Sequence, residues 1–360
     1  MYKKVAIVAE WLTSRGGAEN VVFELAQIFP DADIFTTIYN KKLFPELKGR
    51  TVRTSFLQKI PILNKQHQWC FFMLPRAIES LDLSGYDLII SSSSAFGKGI
   101  KKDQSALHIC YCHTPMRWVW EPQRDNRLSR LPFNNKIRKW LKAWDLKSND
   151  RVDIFCANSR YTAEKIKKYY QRNATILYPP VDLAQFSQVK NSRTDYFFSI
   201  GRLIPYKRVD LAIRSCNKIG QQLLIAGTGP EQKKLRKIAG DKTVFLGHIN
   251  STDKKRYLAC AKAIIFCADE DFGIVPVESI ASGTPVIAYQ KGGAKEIIQD
   301  GVNGVFFNKQ NPESLLSAIA KFDKIKFNQK TLRQSVQKFD KIKFRKGLVK
   351  LIKKRGYDGN

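Results

Sequence analysis

Two cations five residues apart, Arg202 and Lys207, follow the apolar run Tyr196–Ile200 in the text Gly201-Arg202-Leu203-Ile204-Pro205-Tyr206-Lys207. A glycine at a strand end, an arginine, a proline-set turn and a lysine opening the next helix put two fixed charges and free backbone donors at the carboxyl edge of a sheet. That is a diphosphate cradle in chemical terms; the alternative is two solvated surface charges. Further on, Asp269-Glu270-Asp271-Phe272-Gly273-Ile274-Val275-Pro276-Val277-Glu278 sets two glutamates eight apart. Pro276 suits a helix start, leaving the amides of Gly273, Ile274 and Val275 open to phosphate. Glu278, inside that helix beside apolar residues, suits a grip on two ribose hydroxyls, although a carboxylate there also complements the helix dipole.

Two more sites come earlier in the chain. Gly16-Gly17-Ala18-Glu19 follows the run Val5–Ala9 and leads into helical text through about Ile28. Two glycines let amides approach an anion at a helix N-terminus, or make a plain tight turn. His113 stands just past the run Leu107–Tyr111 and before Pro115, with Arg117 and Trp118 close behind. A strand-to-loop switch suits a site histidine, while Arg117 and Trp118 are acceptor-side candidates or parts of a packed loop.

The elements that must position these residues read as α/β throughout. Short apolar runs alternate with amphipathic helical text, the pattern of parallel sheets. Val5–Ala9, Leu88–Ile90, Leu107–Tyr111, Ile154–Ala157 and Thr175–Tyr178 are expected strands of a first half, and Tyr196–Ile200, Leu223–Ala226, Val244–Leu246, Ala263–Cys267 and Val286–Ala288 of a second. Pro179-Pro180 between them cannot sit within a sheet or helix and marks a linker. The expected organisation is a domain over 1–182, a second over 183–335, and a basic helical segment over 336–360 that returns to the first domain. Both domains are doubly wound and Rossmann-like, and ligands of such sheets bind outside the strands' carboxyl ends, here in a cleft between the domains.

Other phosphate binders are disfavoured. Gly227-Thr228-Gly229 has Gln232 where a dinucleotide motif needs its third glycine, and Gly97-Lys98 has Ser92 and Gly99 where a P-loop needs glycine and a hydroxyl residue. Seven scattered cysteines read as reduced, buried thiols, and Cys110-x-Cys112-His113 has no second ligand pair for zinc. The N-terminus has no secretion signal and no run of 18 apolar residues occurs, so the expectation is a cytoplasmic protein without membrane spans. A net charge of +30 calls for polyanionic company, yet no nucleic-acid-reading module accompanies it.

Together the motifs resemble a family. Glu270-x7-Glu278 with Phe272-Gly273 inside and Ala281-Ser282-Gly283-Thr284-Pro285 after it, Gly201-Arg202-x4-Lys207, and Gly16-Gly17-Ala18-Glu19 are similar, in order and over about residues 1–320, to the signatures of glycosyltransferase family 4. These are retaining nucleotide-sugar enzymes of GT-B fold. Cys112-His113-Thr114-Pro115-Met116-Arg117 is similar to a segment of bacterial polysaccharide and O-antigen mannosyltransferases. The resemblance implies that Arg202 and Lys207 bind the donor diphosphate, Glu278 holds the ribose, and Glu270 with the backbone of Phe272, Gly273, Ile274 and Val275 faces the donor sugar. It also implies that Gly16 and Gly17 close on the diphosphate and that His113 works near the reacting sugar. No metal or other cofactor is expected beyond the co-substrate, GDP-mannose or alternatively a UDP-sugar such as UDP-GlcNAc. The acceptor would be a lipid-linked saccharide. A non-catalytic sugar-nucleotide sensor is disfavoured because both the cation pair and the paired glutamates are intact. Asp271 departs from the family, which commonly has glycine there.

Peripheral attachment to the inner face of the cytoplasmic membrane is expected from three basic, apolar stretches. Residues 56–63 and 69–76 are aromatic-rich, though core packing explains them equally well. The last forty residues carry 14 basic and 3 acidic side chains, with Phe344, Leu348, Leu351 and Ile352 on one helical face. A heptapeptide, Lys321–Phe327, recurs there as Lys338–Phe344 and is expected to form two related short helices.

Overall fold

A computed structural model describes residues 2, 4–60, 71–125, 128, 133–188 and 194–356. The chain divides into two compact units, Met1–Pro180 with Phe344–Asn360, and Val181–Lys343. The first is built on seven strands: β1 (Val5–Ala9), β2 (Asp33–Thr36), β3 (Val52–Thr54), β4 (Leu88–Ser93), β5 (Leu107–Cys112), β6 (Ile154–Ala157) and β7 (Ala174–Ile176). They pair in the order β3-β2-β1-β4-β5-β6-β7, all parallel. The second holds six: β8 (Phe197–Ile200), β9 (Leu223–Ala226), β10 (Thr243–Gly247), β11 (Ala263–Phe266), β12 (Val286–Tyr289) and β13 (Gly304–Phe307), in the parallel order β10-β9-β8-β11-β12-β13. Central strands of such sheets are covered on both faces and read as continuous apolar text. β1 and β9 accordingly spell Val-Ala-Ile-Val-Ala and Leu-Leu-Ile-Ala. In each sheet the strand order reverses once, between β1 and β4 and between β8 and β11. Every sequence-predicted site residue follows or borders a strand near one of these two switch points, where sheets of this kind bind ligands.

Three strands escaped the sequence reading. β3 is a three-residue edge strand, Val-Arg-Thr, and β2 opens with Asp33. β13 opens with Gly304, normally a turn signal, but a Cβ there would meet the carbonyl oxygen of Val286 at 2.2 Å, so the sheet contact itself demands glycine. β4 runs beyond the expected Ile90 because its serines are buried with partners. The Ser91 hydroxyl meets His108 Nε2 at 2.8 Å, Ser92 meets His113 Nε2 at 2.7 Å, and Ser93 donates to Glu10 at 3.2 Å.

The C-terminal boundary also moves. Residues 336–343 belong to the second unit, where Phe339 is buried edge-on against Phe272 at 5.4 Å and Lys341 pairs with Asp182 at 2.6 Å. Residues from Phe344 onward join the first unit, Phe344 packing on Tyr111 at 5.6 Å, with Leu348 and Ile352 buried in the same core. The repeated heptapeptide does not form two related helices. Its first copy ends the helix Pro312–Phe322 and turns away, with Phe322 and Phe327 stacked at 5.1 Å, whereas its second opens the helix Lys341–Gly356. Burial, not sequence, decides which copy bends.

Of the segments expected at a membrane, 61–70 lie outside the described residues, as does Cys70. Leu57, Phe71 and Leu74 are core, while Phe56 and Phe72 are exposed. Cys110, Cys112, Cys156, Cys216 and Cys267 are buried as expected while Cys260 is only half-buried, and burial pushes the Cys110 thiol up to about 12. Lys98 of the rejected P-loop text is enclosed, paired with the buried Asp145 at 3.1 Å.

Because Phe344 anchors the returning helix, Phe344→Ala is expected to destabilise the first unit by about 3–5 kcal/mol. Urea unfolding followed by circular dichroism would read this as an earlier transition for part of the chain; an unchanged profile would mean the helix is not held by this ring.

Candidate active site

In the second unit the switch point is built from backbone pressed against backbone. After β8, Gly201 donates to Ala226 at 3.0 Å and Leu203 to Thr228 at 2.9 Å. A Cβ on Gly227 would lie 1.9 Å from the Gly201 carbonyl oxygen, and one on Gly229 2.3 Å from that of Leu203. Across the switch, Gly293 donates to the Glu270 carbonyl at 2.9 Å, and Cβ atoms on Gly292 and Gly293 would strike the carbonyls of Glu270 and Phe272 at 2.1 and 2.3 Å. The sequence reading used Gly227 and Gly229 only to reject a dinucleotide motif and passed over Gly292-Gly293. Their common signal, small residues just past apolar runs, was present.

On this platform Lys207 and Glu270 form a direct ion pair, both about one-fifth exposed. Arg202 stands exposed, and its side chain makes no hydrogen bond or ion pair among the described residues. Residues Pro205–Lys207 form a single 3-10 turn, and the following helix starts at Val209 rather than at the lysine. Gly273, at a φ of +97° that glycine alone adopts easily, caps the helix Ile274–Ala281. The first amides of that helix have no partner within it. The Phe272 ring is core, so only its backbone can face a ligand. Asp271 is buried at 5% exposure, which takes the family-departing carboxylate out of the open site.

Glu278 is buried too, with Lys254 Nζ 2.6 Å from Oε1 and 2.5 Å from Oε2. Burial pushes its carboxyl above the usual range and the lysine only partly restores it. Lys254 lies in polar helical text, Ser251–Cys260, with nothing to mark it in the sequence.

The first unit's edge is organised by a residue the sequence reading missed. Glu10, one position past β1, is buried and accepts from the amides of Ser94 (2.9 Å), Ala95, Phe96 (2.6 Å) and Gly97 (3.1 Å), and from the Ser94 hydroxyl at 3.2 Å. A carboxylate ending an apolar strand was the available clue. Gly16 caps the helix Gly17–Ile28, and a pocket beside it is lined by Glu10, Trp11, Ala18, Glu19, Ser92 and Ser94. Ser92 joins this pocket to half-buried His113, whose ring stands edge-on to Tyr111 at 5.1 Å. The His113 carbonyl accepts from Asn158 at 2.9 Å, which fixes the loop. Gly16, Gly17 and His113 thus converge on one edge. Trp118 does not join them: it is 5% exposed and packs edge-on between Phe71 and Phe96, because the loop turns the indole inward. Arg117 is half-buried at the start of the short helix Arg117–Trp120. Among the described residues no three His, Cys, Asp or Glu side chains gather as a metal site would require.

Residues 15–185 match the family described as Glycosyltransferase Family 4, and 181–339 match Glycosyl transferases group 1. The chain belongs to glycosyltransferase family 4. It is 25% identical over 326 residues to the alpha-1,3/1,6-mannosyltransferase ALG2 of Saccharomyces cerevisiae, covering 75% of this chain and 63% of that one. It is 26% identical over 203 residues to the GDP-mannose-dependent alpha-(1-6)-phosphatidylinositol monomannoside mannosyltransferase of Mycobacterium tuberculosis, covering 48% and 53%. The chain therefore spans less than two thirds of the length of these curated relatives. The crystal structure of Anabaena HepE in complex with UDP shares its two-domain fold, with a TM-score of 0.72 at 16% identity, covering 98% of this chain and all of the other.

For this family 4 chain, Glu19 offers a test of the first-unit edge. Burial lifts its carboxyl from 4.5 to about 7, outweighing hydrogen bonds from the Gly16 and Glu19 amides. Between those values the folded chain keeps a proton that the unfolded chain has lost, so this group's stability contribution falls as pH rises from about 4.5 to 7. Urea unfolding at pH 5 and pH 8 is expected to show wild type losing stability relative to Glu19→Gln over that interval; parallel curves would refute the burial of this carboxyl.

Proposed function

We propose that the protein transfers mannose from GDP-mannose to a lipid-linked saccharide with retention of anomeric configuration, working at the inner face of the cytoplasmic membrane. The observation that carries the reading is the arrangement at the second switch point, where Arg202, Lys207 and Val275 line one pocket, Lys207 pairs with Glu270, and Gly273 caps the helix that begins with Ile274 and Val275. As the sugar C1–O bond breaks, negative charge grows on the departing diphosphate. Fixed cations bind that state better than the ground state, so the reaction is served without a metal. Glu270 is the counter-ion of Lys207 within the chain. On this reading the diphosphate takes its place, and the released carboxylate turns to hydroxyls of the donor sugar.

Glu278, paired with Lys254, accepts from the ribose hydroxyls. His113, steadied by Ser92, lies at the edge that would carry the acceptor and sugar, with Arg117 the remaining acceptor-side candidate. The acceptor hydroxyl attacks C1 from the face the diphosphate leaves. The new C1–O bond forms as the old one breaks, and the hydroxyl proton passes to a diphosphate oxygen. No covalent sugar–protein intermediate is needed. Mannose is supported by two relatives named as mannosyltransferases, and a lipid-linked acceptor by the mycobacterial relative's named phosphatidylinositol mannoside. No helix among the described residues is long and apolar enough to cross a membrane, so attachment would be peripheral.

Thermal-shift measurement is expected to show stabilisation by GDP and GDP-mannose; stabilisation by UDP alone would move the donor to a UDP-sugar such as UDP-GlcNAc. Arg202→Ala and Lys207→Ala are each expected to lower kcat by about 10²–10³-fold, while EDTA leaves it unchanged. Proton NMR of the product is expected to show the donor's anomeric configuration, and an inverted linkage would sink the mechanism.

A further inference from the structure

The helix Asn134–Lys147 in the first unit uses only half of its circumference for packing. Leu141 and Asp145 are buried and Ile137 and Trp144 are half-buried on one side, with Asp145 paired to Lys98 and bonded by the Trp120 indole at 2.6 Å. The opposite side presents Lys136, Lys139, Trp140, Lys142, Ala143, Leu146 and Lys147, all exposed. At 100° per residue these fall on one continuous half-turn face. Trp140 is 47% exposed, Leu146 40%, and Phe133, just before the helix, 74%. Phe133 has a φ of +56°, a conformation unfavourable for an aromatic residue, and its ring stands 5.7 Å from Lys136 Nζ. The helix's single acid is the buried Asp145, so no carboxylate of its own opposes the four lysines.

Apolar residues interleaved with lysines on one exposed face, with no acids among them, have one well-matched counterpart. The rings and the leucine suit the boundary between headgroups and acyl chains, and the lysines suit anionic headgroups. A nucleic acid would satisfy the charges but leave Leu146 and Ala143 against water. We propose that the Phe133–Lys147 face docks the protein on an anionic lipid bilayer. The proposal rests on the lipid-linked acceptor of the proposed function and moves the membrane contact to a surface the sequence reading did not single out. The last helix buries Phe344, Leu348 and Ile352 in the first unit's core and shows only the aliphatic Ile342 and Val349 outward, with no ring to match Trp140 and Phe133.

Flotation of the full chain at low salt, with vesicles of equal parts phosphatidylglycerol and phosphatidylcholine and with phosphatidylcholine alone, tests this. Wild type is expected to float with the anionic vesicles only. Lys136→Glu/Lys139→Glu is expected to lower the bound fraction by about tenfold or more, and Trp140→Ser to lower it less. The tail variant Lys350→Glu/Lys354→Glu should float as wild type does. Wild type left unbound, helix variants that float normally, loss confined to the tail variant, or displacement from vesicles by single-stranded RNA with the helix variants failing to bind that RNA would each overturn the proposal. GDP-induced thermal stabilisation is measured on every variant. Its retention shows that the helix variants are folded, and its absence in wild type alongside helix-dependent flotation would remove the donor reading while leaving the docking face standing.

Discussion

A parallel sheet leaves backbone amides and carbonyls unpaired where its strands end, and everything placed at that edge depends on how they are satisfied. In the first unit the answer is a charge. Glu10 reaches from the end of β1 to the loop after β4 and takes four successive amides, residues 94–97, on Oε1. Charge-assisted bonds of this kind are about twice as strong as neutral ones, so the two strands bordering the switch point are tied at their ends. The neighbouring parts follow. Gly97 must be small, since a Cβ would meet the Ser92 carbonyl oxygen at 3.0 Å and Glu10 Cγ at 3.3 Å. Ser92, held at the end of β4, can then reach His113 from the adjacent strand. The loop after β4 is consequently closed to a ligand's anion by the protein's own carboxylate.

The second unit meets the same requirement without charge. Glycines at 227, 229, 292 and 293 let neighbouring loops approach until amide meets carbonyl, and no side chain fits between them. Because those groups are already satisfied by one another, the ionic groups stand on a stiff base. Lys207 and Glu270, each about one-fifth exposed, pair with one another on that base. Glu278 differs: it is buried, which pushes its carboxyl up, and Lys254 offsets part of that. Both are glutamate–lysine pairs, one partly exposed and the other with its carboxylate buried.

Much of this was legible in the sequence, and the limits have physical causes. Central strands could be read because burial on both faces writes continuous apolar text, whereas β3, an edge strand containing Arg53, writes none. The residues proposed for the donor side stand out in the sequence because each belongs to a short local motif. Glu10 and Lys254 were not, because their partners lie 84–87 and 24 residues away and are set by topology. Trp118, left open between an acceptor-side role and a packed loop, proves packed for the complementary reason: beside His113 in sequence, it is turned into the core by rings from Phe71 and Phe96 that no local pattern connects. The serines of β4 read as the strand's end, yet a buried hydroxyl with a partner costs a strand little.

The net charge of +30 looks different once the acids are located. Several carboxylates are spent inside the fold: Asp145 on Lys98, Glu121 on Lys165 at 2.7 Å, Glu278 on Lys254. Each such pair withdraws one cation and one anion together, so the excess of positive charge is carried by the surface with fewer acids to offset it. Surface lysines act at a distance and fade with salt, within about 10 Å at 0.1 M. Charge alone would therefore bring the protein to any anionic body and hold it on none. What singles out the helix Asn134–Lys147 from the more basic last helix is its outward indole, Trp140, with Leu146 and the Phe133 ring beside it, where the last helix shows Ile342 and Val349 outward and turns its Phe344 ring into the core. Long-range attraction and short-range apolar contact coincide on that face, and their coincidence distinguishes a surface that adheres from one that merely attracts.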